Sequence, residues 1–310
     1  MYELATGRSV TICQWHLGME SLLARPRPSA WESFLRSPLL YLARKLYSNR
    51  DIVPRRSISD PITVICISDT HNSQAALPDG DVLIHAGDLT QGGTFSELQA
   101  ALDWLQAQPH AHKIVIAGNH DAILDPSRDA GNERARLDWG DITCLCDESA
   151  TVRCSNGRRL LVYGSPLSPR HGNWAFQYPR SKDIWAGAVP DGVDILVTHG
   201  PPRGHLDLMR LGCPHLLREV WRTRPRLHVF GHVHEGYGQE WVGFDSFQGA
   251  FEQVVMSRGL GRVVSFGRLM FEVLRGSFRS AKEAPCLLVN AAMVGGLWDK
   301  DRREPIMVVI

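Results

Sequence analysis

Five apolar runs, each followed by a short polar cluster, constrain this chain more than any other feature. The runs cover residues 62–67, 82–84, 114–117, 195–197 and 227–230. They are short, rich in β-branched residues and apolar at successive positions, which suits strands buried on both faces better than helices. The clusters after them are Asp69-Thr70-His71, Gly87-Asp88, Gly118-Asn119-His120-Asp121, Thr198-His199-Gly200 and Gly231-His232-Val233-His234. Helix-like segments such as 94–108 alternate with the runs, so the pattern predicts an α/β sheet with helices outside and polar groups gathered at strand ends.

The residue types point to metal chemistry. Carboxylate, imidazole and side-chain amide suit Mn²⁺, Fe or Zn²⁺, and none of the clusters supplies the thiolates of a structural zinc site. Residues two apart on a strand face the same way, so Asp69 with His71, and His232 with His234, are each expected to aim at one place. Two metals about 3.5–4 Å apart activate a bridging water and clamp the attacking and leaving oxygens of an in-line displacement, which is phosphoester hydrolysis.

In order, the clusters resemble the pattern of the calcineurin-like metallophosphoesterase superfamily: D-x-H, G-D, G-N-H-D/E, a lone His, then G-H-x-H. The resemblance implies two packed mixed β-sheets flanked by helices, an α/β/β/α sandwich. It also implies that Asp69, His71 and His234 hold a first metal, that Asp88 bridges, and that Asn119, His199 and His232 hold a second. Mn²⁺ is the first choice of metal, with Fe, Zn²⁺ or Mg²⁺ as alternatives. His120 is expected beside the scissile phosphate as a stabiliser or proton donor, with Asp121 orienting its imidazole. A narrower resemblance rests on 113–120 (KIVIAGNH), 163–166 (YGSP), 198–202 (THGPP), 231–238 (GHVHEGYG), 289–292 (VNAA) and 305–309 (PIMVV). These look like the metallophosphoesterase-domain-containing subgroup, related to class III cyclic nucleotide phosphodiesterases. The implied activity is hydrolysis of small phosphate esters or cyclic nucleotides by a metal-bridging hydroxide. The alternatives are a phosphomonoesterase, a nuclease, or a metal-stabilised nucleotide-binding scaffold with little turnover.

Composition narrows the partners. A net charge of +1 over 310 residues gives no single-signed field for a polyanion, and there is no Lys/Arg block, so a large nucleic acid is disfavoured. Seven cysteines make no even disulfide framework, and Cys144-Leu145-Cys146 lacks C-x-x-C spacing, so reduced thiols are expected. Glu3, Arg8 and Gln14 interrupt any signal-like apolar stretch, and no run approaches the ~20 apolar residues of a membrane span. A cytoplasmic enzyme is the expectation.

The organisation expected is an N-terminal helical extension, 1–58, and one catalytic domain, 59–310, with an insertion at about 239–286. In the extension, 25–28 and 54–57 read as loops around a helix over 37–48, with Ser37 as N-cap and Pro38 at its first position. Leu39, Leu42 and Leu46 share one face, with Arg44 and Lys45 on the other side. Packing against the catalytic domain is the plain reading; a basic amphipathic helix on a membrane surface, with Trp31 and Phe34 nearby, is the sharper one. The insertion is read as packing on the sheet, covering the site, or forming a dimer contact. The segment 164–192 carries Arg170, His171, Trp174, Phe176, Tyr178, Arg180 and Trp185. Its aromatics either close a secondary core or stack on a base, and Arg170, His171, Trp174 and Arg180 are the candidate substrate contacts. His85, three residues before Asp88, reads as a hydrogen-bonded core histidine or a group behind the ligands.

Overall fold

The computed structural model of the protein describes residues 29–50, 52, 60–128, 131–276, 284–296 and 300–310. The loop readings at 25–28 and 54–57 lie outside the described residues. Strands β1 (Thr63–Ile67), β2 (Val82–Ala86), β3 (His112–Ile116) and β4 (Ile142–Leu145) pair in parallel, and β15 (Ile306–Val309) closes the edge antiparallel to β1. The second sheet contains β5 (Glu148–Arg153), β6 (Arg159–Ser165), β9 (Ile195–Thr198), β10 (Leu227–Phe230), β11 (Gly238–Val242) and β12 (Cys286–Asn290), in the order β11-β12-β10-β9-β6-β5. Two short ribbons, β7 (Ser168–Pro169) with β8 (Gln177–Tyr178) and β13 (Val294–Gly295) with β14 (Asp301–Arg302), sit in the connections.

The period-2 alternation of a strand with both faces covered explains why the runs are apolar at nearly every position. Val64, Cys66, Ile84 and Ile116 of the first sheet share one cluster with Val162, Ile195, Val197, Val229 and Val289 of the second, so this is the inter-sheet core. The alternate residues Ile65, Ile67, Leu83 and Val115 point outward onto Leu98, Leu102 and Leu105 of helix α3 (Phe95–Gln106). On the far side Leu196, Phe230 and Leu288 meet Trp185 and Leu216 and Val220 of α4 (Pro214–Thr223). The layers are therefore α/β/β/α, two mixed sheets flanked by helices. Each fully buried aliphatic side chain contributes roughly 1.5–3 kcal/mol, so the core is decided by these runs.

Helix α3 starts where its sequence signals place it, at a reciprocal capping box between Thr94 and Glu97. Helices α1 (Ala30–Arg36) and α2 (Pro38–Ser48) precede the first sheet. The segment after β11 folds as α5 (Ser246–Met256) and α6 (Gly259–Leu274). Leu40, Ala43, Leu46 and Tyr47 of α2 join Phe247, Phe251, Val254 and Leu269 in one cluster, so α2 packs on α5 and α6. The packed stripe differs from the one read in the sequence: Ala43 is its buried centre, and Leu42 turns outward. A small residue at the closest approach lets α5 come near, which apolar spacing alone does not reveal.

Candidate metal centre

Parallel pairing brings the carboxyl ends of β1, β2 and β3, and of β9 and β10, to one edge of the sandwich. The polar clusters leave the sheets there. Asp69, Asp88, Asn119 and His199 are buried, and His71 and His232 nearly so. One ligand atom from each of Asp69, His71 and His234 lies within 4.8 Å of the others, and the same holds for Asp88, His199 and His232. Asn119 Oδ1 is 3.0 Å from His199 Nε2, which puts the amide in the second group. Asp88 lies between the groups: its Oδ2 is 3.3 Å from His199 Nε2 and 4.0 Å from His71 Nε2.

The backbone conformation that makes these side chains converge is not a strand. β1 ends at Ile67 and β10 at Phe230, and four of the polar groups adopt left-handed backbone, Asp69 at φ 49°, His71 at 43°, Asp88 at 55° and His232 at 66°. The expectation that strand alternation aims Asp69 with His71, and His232 with His234, is therefore corrected. Tight left-handed turns beyond the strand ends aim them, a conformation that costs energy for non-glycine residues and clusters at functional sites. The turns are held by backbone hydrogen bonds between the loops, from Asp69 N–H to the Gly87 carbonyl (2.8 Å) and from His71 N–H to that of Asp88 (3.2 Å).

The donor set fits divalent metal. His71 Nδ1–H donates to the Thr90 carbonyl (3.1 Å), which leaves Nε2 as the lone-pair nitrogen, buried and without a hydrogen-bond partner. His199 Nδ1–H donates to the Ala86 carbonyl (3.0 Å), which likewise turns its Nε2 toward Asp88, Asn119 and His232 Nδ1 (3.2 Å). A backbone carbonyl can only accept, so both tautomers are set for ligation. Burial opposes a charge on His199, yet the adjacent Asp88 carboxylate pushes it up to about 9. Burial would raise Asp69, but hydrogen bonding and charge from His234, with His199 and His71, hold it well below the ordinary carboxylate range. The buried carboxylates thus draw a proton onto His199, while burial holds His71 and His232 below the ordinary imidazole range, neutral and free to ligate; bound metal would supply the positive charge instead.

Three glycines make room for this packing. A Cβ at Gly231 would stand 1.9 Å from Asp69 Oδ2, one at Gly118 2.3 Å from Asp88 Oδ1, and one at Gly87 2.6 Å from His199 Nδ1. Each stands immediately before a candidate ligand, which is the signal the sequence carries.

His120 sits beside the ligands, with one nitrogen within 4.8 Å of the ligand atoms of His71 and Asp88. Its main-chain N–H donates to Asp88 Oδ1 (2.7 Å), and its Nδ1–H donates to the Gln91 carbonyl (2.8 Å). The expectation that Asp121 orients this ring is corrected: Asp121 receives the N–H groups of Gly118 (2.8 Å), Thr90 (3.0 Å) and Leu89 (3.2 Å), and the Thr90 hydroxyl (2.7 Å). It ties the β2 and β3 loops together, while a carbonyl 29 residues earlier in sequence sets the imidazole. Burial and the neighbouring Asp88 charge push Asp121 up to about 6. His85 is a satisfied core histidine, with Nδ1 accepting from Gly87 N–H (3.3 Å) and Nε2 donating to the Thr70 hydroxyl (3.0 Å), and burial drives it down to about 3.

The candidate substrate contacts separate. Trp174 is 45% exposed and stacks on His120, ring centroids 4.4 Å apart. His171 lies edge-on to His232 at 4.7 Å. Arg170 lines a polar cavity of about 310 Å³ with Trp174, Asn173 and Arg128, the last a residue that no motif marked. Arg180 instead donates to the carbonyls of Arg170 (3.2 Å) and Leu211 (3.1 Å), so it fastens the loop. Phe176, Tyr178 and Trp185 are buried, and Trp185 Nε1–H donates to Tyr178 Oη (3.0 Å). The segment is partly secondary core and partly site rim.

Residues 62–236 match the family described as calcineurin-like phosphoesterase. The chain belongs to that family. This calcineurin-like phosphoesterase is 45% identical over 304 residues to Probable rhamnogalacturonate lyase C of Emericella nidulans, a match covering 94% of this chain and 29% of that protein. It is 42% identical over 204 residues to Metallophosphoesterase domain-containing protein 1 of Homo sapiens, 56% of this chain and 61% of that protein. It is 34% identical over 252 residues to a UPF0046 protein of Caenorhabditis elegans, covering 74% of this chain and 84% of that one. The calcineurin-like phosphoesterase thus spans less than two thirds of the length of the first two relatives.

Proposed function

We propose that this protein is a two-metal phosphodiesterase acting on small phosphate esters, cyclic nucleotides among them, with Mn²⁺ as the working metal. The observation that carries the reading is the pair of ligand groups meeting at Asp88, with His120 at their side. When bound, such metals polarise phosphate oxygens and make a nucleophile available at neutral pH. Asp69, His71 and His234 would hold one ion, Asn119, His199 and His232 the other, and Asp88 both.

The protein's own groups do the rest. His120 keeps its Nδ1 proton on the Gln91 carbonyl, so its Nε2 can accept a hydrogen bond when neutral or, when protonated, deliver a proton to the leaving oxygen. Trp174 covers one face of that imidazole and presents the exposed remainder of its indole at the rim, which favours an ester with a flat group. The lyase name belongs to a protein of which the match takes 29%, and the chemistry of that name is not carried to this chain.

The test is a panel of cyclic nucleotides, aliphatic and aryl diesters and the matching monoesters, assayed with Mn²⁺, Zn²⁺ and Mg²⁺ and after chelation. Diester turnover that disappears with chelator and returns with Mn²⁺ is expected. Tight nucleotide binding without product under every metal would replace this reading with the binding-scaffold one, and preference for monoesters would replace it with a phosphomonoesterase.

A further inference from the structure

Helix α6 is built inside out relative to an ordinary surface helix. Its inward charges are satisfied by the protein: Arg262 donates to the carbonyl of Val254 (3.2 Å) and to that of Ser257 and the Ser37 hydroxyl (2.6 and 3.0 Å), and buried Glu272 accepts from the Ser246 hydroxyl (2.7 Å). The outward face is apolar. Leu260 is 80% exposed, Val264 70%, Phe271 55% and Leu274 82%, with Val263 and Gly267 alongside. Solvated helix faces carry polar side chains, and a contiguous apolar stripe of this length marks a surface that meets something apolar.

The charges around the stripe say what that is. Arg258, Arg268 and Arg275 are exposed at its start, middle and end, and the Arg275 guanidinium lies 5.5 Å from the Phe271 ring centroid. The only carboxylate between Met256 and Gly276 is buried Glu272. Through the bond from Arg262 to Ser37, α6 adjoins the end of α1, whose exposed Trp31 and Leu35 extend the apolar surface, with Arg36 at that end of the helix and Glu32 held in the cap at its start. We propose that α6, with α1 beside it, docks in the plane of an anionic phospholipid bilayer, apolar side chains in the acyl boundary and arginines on the headgroups.

Two other occupants fit less well. A second copy seated symmetrically on this face would set arginines against arginines with no exposed acid in the stretch. The chain's own first 28 residues contain three arginines and two glutamates, a net positive charge that does not complement the rim. Apolar face, arginine rim and interfacial Trp are the features by which helices lie on membranes, each basic residue strengthening attraction to anionic lipid roughly fivefold. No helix among the described residues is long and apolar enough to cross a membrane, so the contact is with one leaflet.

The test is sedimentation of the full chain with vesicles of phosphatidylcholine alone and of phosphatidylcholine mixed with phosphatidylserine. Binding to the mixed vesicles, weaker without phosphatidylserine and weakened by salt, is expected. The variant L260E/F271E should lose at least about tenfold in vesicle affinity with an unchanged melting temperature, because both side chains lie outside the packed face. Should that variant fold poorly, R268E/R275E, which leaves the apolar face intact, should lose a similar factor on the mixed vesicles only. No sedimentation with either vesicle, or equal sedimentation of wild type and both variants, overturns the proposal. So does a dimer in light scattering that L260E/F271E converts to monomer, which would assign the face to a second copy.

Discussion

The indole of Trp174 lies against the imidazole of His120 with ring centroids 4.4 Å apart and planes inclined by 29°. It joins a half-exposed rim residue to the motif histidine that the ligand assignment leaves out. Trp174→Ala should therefore affect esters with a flat group most. The KM for a cyclic nucleotide should rise roughly fivefold or more, while that for an aliphatic diester changes little, as expected for the loss of about 1 kcal/mol of ring stacking. Metal content should be unchanged. An equal rise for both substrates would show that Trp174 only positions His120.

Asp88 and His120 should be separable by metal analysis. Asp88→Asn removes the carboxylate shared by both ligand groups, so metal retained after gel filtration should fall for both ions together. His120→Ala should keep its metal and lose roughly 10²–10⁴-fold in kcat, the range of a positioned acid or base. Metal loss in His120→Ala would make that side chain a ligand instead.

Glycine substitutions test the close packing behind the ligands. Gly231→Ala places a Cβ 1.9 Å from Asp69 Oδ2 and 2.1 Å from Ser68 Oγ, so Asp69 must shift. Metal affinity should drop and the melting temperature with it. Gly249→Ala, inside α5 with its nearest neighbour Trp221 at 3.8 Å, should instead stabilise by about 0.5–1 kcal/mol by reducing the freedom of the unfolded chain.

Stability should fall on the alkaline side through a buried ion cluster behind the loop. His205 Nδ1 is 2.9 Å from Glu240 Oε1 and its Nε2 is 3.1 Å from Glu252 Oε1. Burial opposes its protonation, but the charges and hydrogen bonds of Glu240 and Glu252 push it up to about 10, against an ordinary 6.5. The folded state holds this proton more tightly than the unfolded chain. The stabilisation is therefore complete below about 6.5 and lost as pH rises through about 10. Urea midpoints measured across that window should decline for the wild type and much less for His205→Gln. Parallel declines would place the loss in other groups, such as the buried thiols.

Which polar clusters gather at one edge of the sandwich and the class of the fold were legible in the sequence because both rest on local order. Short runs apolar at nearly every position suit strands covered on two faces, and the glycines that precede Asp88, Asn119 and His232 mark where the chain turns sharply beside a candidate ligand. How the side chains are aimed was decided only by tertiary structure. Asp69, His71, Asp88 and His232 converge through left-handed backbone, a conformation that Asp and His tolerate better than most residues but that hydrogen bonds between separate loops hold in place. The Gln91 carbonyl that sets His120, and Asp121 bound to main-chain N–H groups instead of the ring, are contacts between separate loops. Which aromatics of residues 164–192 are core and which are rim was likewise undetermined, because Trp185 and Trp174 have the same propensities. One is buried because β10, β12 and α4 supply apolar partners, and the other is left at the surface stacked on His120. Local pattern specifies what a segment is; the long-range packing of one segment on another specifies what it faces.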